Sequence, residues 1–192
     1  MPAVGESHFG ALEGLRSRFV DGVNGLRMHV LEAGEPGRPA LLLLHGFPEL
    51  AYSWRRTAPA LAGAGYHVIA PDQRGFGGTT GWSGAYDDDL GPFRQMRLAG
   101  DAVALLAAMG VDRVAAVIGH DFGSIVAGHC ALTRPDVLPA VAMMSAPFAG
   151  PPPSGPSPAP AGDIHADLAR LPRPRKLYQW YYSTREAEAD LS

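Results

Sequence analysis

The sequence has one cysteine, Cys130, which excludes an intrachain disulfide and fits a reducing compartment. It has no excess of positive charge. Its 16 Lys and Arg stand against 19 Asp and Glu, a formal net charge of -3, so the electrostatic footprint of a nucleic-acid binder is missing. No apolar run approaches the ~20 residues of a membrane span. Met1 to Gly10 lacks the basic stretch and apolar core of a secretory signal. These absences lead to the expectation of a cytoplasmic protein whose partner is a small molecule, not a nucleic acid or a membrane. What is present is ordinary for a globular chain: 192 residues, 46% hydrophobic and 18% charged, enough for one good-sized domain.

Up to Phe148 the chain alternates strand-like and helix-like segments. Arg18–Val20 and Leu26–Leu31 read as strands around the turn Asp21–Gly25, where Asn24-Gly25 is a strong hairpin signal. Ala40–Leu44 is a continuous apolar run, the pattern of a strand buried on both faces. Trp54–Gly63 reads as a helix, His67–Ala70 as a short buried strand, and Pro71–Asp89 as a loop. Leu98–Met109 has helical spacing and stops at Gly110. Val114–Ile118 then reads as a strand, Phe122–Leu132 as a helix and Ala140–Met144 as a strand. This alternation predicts an α/β fold, a mostly parallel sheet with helices on both faces.

The composition changes at Pro147. Residues 149–162, with six prolines between Pro151 and Pro160, are expected to form a stiff linker. Residues 163–192 follow, with a short helix over Ile164–Leu171 and an aromatic segment Lys176–Tyr182. The expected organisation is therefore a core over 1–148, a linker over 149–162 and a second region over 163–192.

Three motifs carry the chemistry. Gly119-His120-Asp121-Phe122-Gly123 lies between a strand and a helix. A sharp strand-to-helix turn exposes one side chain above the sheet, and its neighbours two residues away must be small because backbone atoms crowd there. The exposed residue is Asp121, a carboxylate, ionised at neutral pH and able to attack an electrophilic carbon. Taken alone, Asp121 reads equally well as a helix cap. His45-Gly46-Phe47-Pro48 follows the buried strand Ala40–Leu44. In isolation this tetrapeptide reads as a Gly-Pro turn with a core histidine. Asp72-Gln73-Arg74-Gly75-Phe76-Gly77-Gly78-Thr79 fails the dinucleotide fingerprint, because Thr80 stands where its third glycine belongs. Its charges are read as bracing the site.

Together Leu42–Pro48, Asp72–Thr79 and Gly119–Gly123 resemble the α/β-hydrolase superfamily and, within it, the soluble epoxide hydrolases. The resemblance implies that Asp121 attacks an epoxide carbon to form a covalent ester. It implies that a cap tyrosine assists at the epoxide oxygen; Tyr178 in Tyr178-Gln179-Trp180-Tyr181-Tyr182 is similar to the first such tyrosine. It implies an oxyanion hole of Phe47 and Phe122, with His45, Gly46, Pro48, Gly119 and Gly123 as the structural motif, and no metal or cofactor.

The family's histidine and its acid come from later loops, and none of the seven histidines, His8, His29, His45, His67, His120, His129 and His165, lies in a matching position. The hydrolase fold is therefore expected to be incomplete, with only the beginning of a helical cap, and the chain truncated within it. Full turnover to a diol is not expected of it. An alternative of the same fold is a dehalogenase, but such relatives place Trp or Arg after the aspartate, where this chain has Phe122. Another is a catalytically dead fragment. Asp87-Asp88-Asp89 is read as a solvated loop or a helix start, His120 as structural and turned away from the site, Ser124 as one turn past the exposed position, and Cys130 as a buried helix residue.

Overall fold

The computed structural model describes residues 13–148 and 164–191; the expected linker and His8 lie outside them. The described residues form two compact units. One comprises residues 13–84 and 89–148, the other residues 85–88 with 164–191.

The first unit is built on one six-stranded sheet. β1 (Arg16–Val23) and β2 (Leu26–Ala33) form a hairpin that turns on Asn24 and Gly25, both at positive φ, as a two-residue loop requires. β3 (Ala40–Leu44) and β4 (His67–Pro71) are buried along their whole length. β5 (Val114–His120) and β6 (Val141–Met144) complete the order β1-β2-β4-β3-β5-β6. The pairs β4–β3, β3–β5 and β5–β6 are parallel; β1–β2 and β2–β4 are antiparallel. The sheet is thus mixed, with its parallel part where the crossover helices fall.

Each face has its own core. α1 (Thr57–Gly63) lies on one, where Leu41, Leu43, Val68 and Ala70 meet Trp54 and Ala58. α2 (Gln95–Ala108) and α3 (Phe122–Thr133) cover the other, where Leu42, Leu44, Ile69 and Val117 meet Leu105, Leu106, Val126 and Ala127. Successive β3 residues point to opposite faces, so its unbroken Leu run serves both cores at once.

Several boundaries differ from the sequence reading. The expected helix Trp54–Gly63 is two elements: a 3-10 turn over Ala51–Arg55, then α1 from Thr57. The Ala51 N–H is held by the Asp72 carboxylate at 2.8 Å, a tertiary tie that starts the turn early. β1 runs through the residues expected to turn, with a register shift between Val20 and Val23. Thr80, expected in a loop, pairs with Arg27 of β2 through two backbone hydrogen bonds.

The second unit holds α4 (Ile164–Ala169), α5 (Tyr178–Tyr181) and α6 (Arg185–Leu191). Within it the Tyr86 hydroxyl donates to the Ser183 carbonyl at 2.9 Å, and Arg185 pairs with Asp87. Asp87 thus has a cationic partner in this unit.

Candidate active site

The parallel strands β3, β4 and β5 all end at the same edge of the sheet, and the three motifs follow from there. Between β5 and α3 the chain reverses at one residue. Asp121 has φ 50° and ψ -119°, a left-handed conformation rare for a residue with a side chain. The reversal presses backbone against backbone. A Cβ on Gly119 would lie 2.2 Å from the Gly123 carbonyl oxygen, and one on Gly123 would lie 2.3 Å from that of Leu44. A Cβ on Gly46 would lie 2.7 Å from Cβ of Asp121 itself. The small residues flanking the aspartate are therefore demanded by contact with the β3 end and with the turn.

The Asp121 side chain makes no capping hydrogen bond to α3. Its Oδ1 instead accepts the Phe47 N–H at 3.0 Å. That bond holds the carboxyl below its ordinary range against the opposing effect of partial burial; the Phe122 N–H and the nearby His120 act in the same direction. The Phe122 amide acts on the carboxylate without meeting it as a full hydrogen bond. Two backbone donors thus converge on one ionised, solvent-reachable carboxylate. Phe47, 39% exposed, leaves an aromatic face beside it. The peptide joining Phe47 to Pro48 is cis.

The loop that carries Phe47 is tied from beneath. His45 is fully buried. Its Nδ1 donates to the Gly46 carbonyl at 2.9 Å and its Nε2 accepts the Gln73 N–H at 3.0 Å, which defines a neutral ring. Burial lowers its pKa, only partly offset by the Gly46 carbonyl and the Asp72 and Glu49 charges. Asp72 is also buried. It accepts from Ala51 N, Gly78 N and His29 Nδ1 at 2.8–2.9 Å. Burial alone would raise its pKa, but these donors outweigh that and hold it low. Arg74 adds a two-pronged pair to Asp101 of α2. The expected bracing is thus a set of named bonds.

His120 differs from the sequence reading in one respect. Its Nδ1 meets Glu49 Oε2 at 3.0 Å, and the same oxygen accepts the Gly46 N–H at 3.2 Å. Its side chain therefore faces the His45–Glu49 loop and helps hold it. Neither Glu49 nor this contact was legible in advance, because the partners are 71 residues apart. Ser124 is buried, with its hydroxyl against the Gly119 and Met144 carbonyls at 2.7 and 2.8 Å. It stitches the turn to β6 and is not exposed to substrate. Cys130 is buried, which pushes its thiol up to about 12. Tyr178 is exposed and belongs to the second unit, where its ring lies 6.1 Å from that of Tyr182.

These ties predict acid sensitivity. A folded His45 with a depressed pKa takes its proton later than the unfolded chain does, so its contribution is whole above about pH 6.5 and declines below it. Asp72, also depressed, contributes above its ordinary value of 3.8 and loses that contribution as pH falls further. Denaturation midpoints should fall between pH 7 and 5, then again below pH 4. A midpoint constant from pH 7 to 5 contradicts the role given to His45.

The chain is 50% identical over 130 residues to epoxide hydrolase A of Mycobacterium tuberculosis, covering 68% of this chain and 38% of that protein. It is 39% identical over 169 residues to epoxide hydrolase B of the same organism, covering 84% and 45%. Among solved structures it resembles an epoxide hydrolase from Vigna radiata with TM-score 0.66 and 41% identity, over 77% of this chain and 43% of that one. The chain therefore spans about two fifths of the length of these relatives. The family model for the alpha/beta hydrolase fold matches residues 39–184, and the chain, with its mixed sheet covered by helices on both faces, belongs to that family.

Proposed function

We propose that this chain carries the alkylating half of an epoxide hydrolase, with Asp121 as nucleophile on a nucleophile elbow. The observation that carries the reading is the carboxylate of Asp121 at the apex of the β5–α3 turn, held ionised by the Phe47 N–H. One carboxylate oxygen is gripped by that donor. The other attacks an epoxide carbon, the C–O bond of the ring breaks, and the departing oxygen takes a proton, for which Tyr178 is the assigned donor. The product is an alkyl ester whose carbonyl oxygen lies against the Phe47 and Phe122 amides. When water attacks that ester, negative charge develops on the oxygen that these two donors already face.

The base for the water step is not assigned to this chain. The five histidines whose side chains are described are engaged elsewhere: His29 with Asp72, His45 with Gly46 and Gln73, His67 with Glu32, His120 with Glu49 and His129 with the Ile125 carbonyl. Residues 163–192, with Tyr178, are assigned to a cap. Phe122 offers a backbone donor and no polar side chain, which favours an epoxide over a haloalkane.

The test is a pair of incubations with styrene oxide and with a 1-haloalkane. The expected result is consumption of no more than one equivalent of epoxide per chain, without release of halide. In Tyr178→Phe the consumption slows on the order of tenfold or more. Halide release by the wild-type chain overturns the choice of an epoxide, and sustained diol formation abolished by Asp121→Ala overturns the restriction to the alkylating half.

A further inference from the structure

A second hydrogen-bonded array lies away from Asp121, on the antiparallel side of the sheet. Ser17 of β1 is exposed. Its Oγ is 2.9 Å from Nε2 of His29 on β2. Nδ1 of the same ring is 2.8 Å from Oδ2 of Asp72, at the end of β4. His29 and Asp72 are both buried beneath the serine. Ser17 is the one exposed residue of these three.

The protons can be placed. Asp72 is an ionised acceptor whose other contacts are the Ala51 and Gly78 N–H groups. It therefore accepts from His29 Nδ1–H. In the neutral ring this places the proton on Nδ1 and leaves the Nε2 lone pair toward the serine hydroxyl. A nucleophile, a base within hydrogen-bond reach and a third group orienting the base are the elements of an activated serine, recognised by geometry and not by position in sequence. Register accounts for the arrangement. Phe19 pairs with His29 and Ser17 with Leu31, so Ser17 stands diagonally across from His29 on the same face of the hairpin. The Phe19 ring, 43% exposed and 5.4 Å from the His29 ring, gives the site an apolar wall.

We propose that Ser17 is a second nucleophile of this protein, activated by His29 and Asp72, with activated aryl esters and phosphonyl fluorides as its substrate class. Ser17 Oγ attacks the ester carbonyl while its proton passes to His29 Nε2, and Asp72 stabilises the imidazolium. The aryl oxide leaves with that proton, which gives acyl-Ser17. Water then attacks with His29 as base, the carboxylic acid departs and the hydroxyl is restored. With a phosphonyl fluoride the O–P bond forms, the P–F bond breaks, fluoride leaves and the adduct persists. General-base help is worth about 10²–10⁴-fold. That magnitude suits good leaving groups and excludes amides. The site shares no reacting group with Asp121 and does not depend on the epoxide reading.

The test treats the intact chain with an alkyl fluorophosphonate and maps adducts by mass spectrometry, with circular dichroism establishing that each variant is folded. The expected result is one dominant adduct on Ser17, formed at least tenfold faster than on any other serine. It should be lost in Ser17→Ala and retained in Asp121→Asn. Ser17 is exposed, so its alanine variant should fold as the parent does. His29→Gln, a variant of a buried residue, is compared only if its spectrum is native; there Ser17 should label no faster than other exposed serines. Adducts spread evenly over serines, labelling unchanged in folded His29→Gln, or no adduct on Ser17 in folded protein overturns the proposal.

Discussion

Replacing Gly123 with alanine is expected to lower the melting temperature by about 6–12 °C and to abolish epoxide opening together with it. The added Cβ would sit 2.3 Å from the Leu44 carbonyl oxygen and 2.5 Å from that of His45. Both neighbours are backbone, so no side chain can rotate away. Either the end of β3 moves or the β5–α3 turn opens. Overpacking of this kind costs about 3 kcal/mol, and in a chain of this size each kcal/mol shifts the melting point by roughly 2–4 °C. Both movements separate Phe47 from Asp121, because Phe47 lies three residues beyond Leu44 and Asp121 two before Gly123. Gly63 is the matched control. It is exposed, lies at the end of α1 and has nothing within 4 Å of a built Cβ. Gly63→Ala is expected to be neutral or to stabilise slightly, since alanine is the better helix residue by about 0.5–1 kcal/mol. Differential scanning fluorimetry of the two variants decides the matter. A Gly123→Ala protein that melts like the parent contradicts the close approach described for this turn.

How much of this was legible in the sequence depended on how local each cause was. Ala40–Leu44 is bounded as expected, because an unbroken apolar run between Pro39 and His45 has few alternatives to a doubly buried strand. The β1–β2 turn was carried by Asn24-Gly25 alone. Gly119 was legible from its turn, since its crowding neighbours are Gly123 and Ser124, whereas the carbonyls that crowd Gly123 belong to the distant end of β3. Longer-range causes were not. The early start of the turn at Ala51 comes from Asp72, and the Glu49–His120 bond from the meeting of two loop ends. The coupling of His29 to Asp72 needs β2 and β4 to be neighbours, although they are separated in sequence by β3 and α1. α6 was missed for a different reason. Its run Arg185-Glu-Ala-Glu-Ala-Asp-Leu191 consists mostly of strong helix formers, but it lacks the apolar spacing on which the helices were read.

The chemical reading rests on one carboxylate. Its two properties, exposure at the turn and a charge held by the Phe47 amide, are what single-turnover alkylation needs. Proximity of a positioned nucleophile supplies most of the acceleration in such a step, and the loss of that nucleophile removes it entirely. Asp121→Asn keeps the shape of the side chain while removing its charge, so the variant is expected to fold and to leave the epoxide unopened. With no base assigned to hydrolyse the ester, the adduct should accumulate. The decisive measurement is the intact mass of the chain after incubation with styrene oxide, followed by peptide mapping. The account predicts a mass increase of one styrene oxide per chain, located on Asp121 and absent from Asp121→Asn. An adduct on another residue, or an unmodified Asp121 in protein that is folded by circular dichroism, would contradict it.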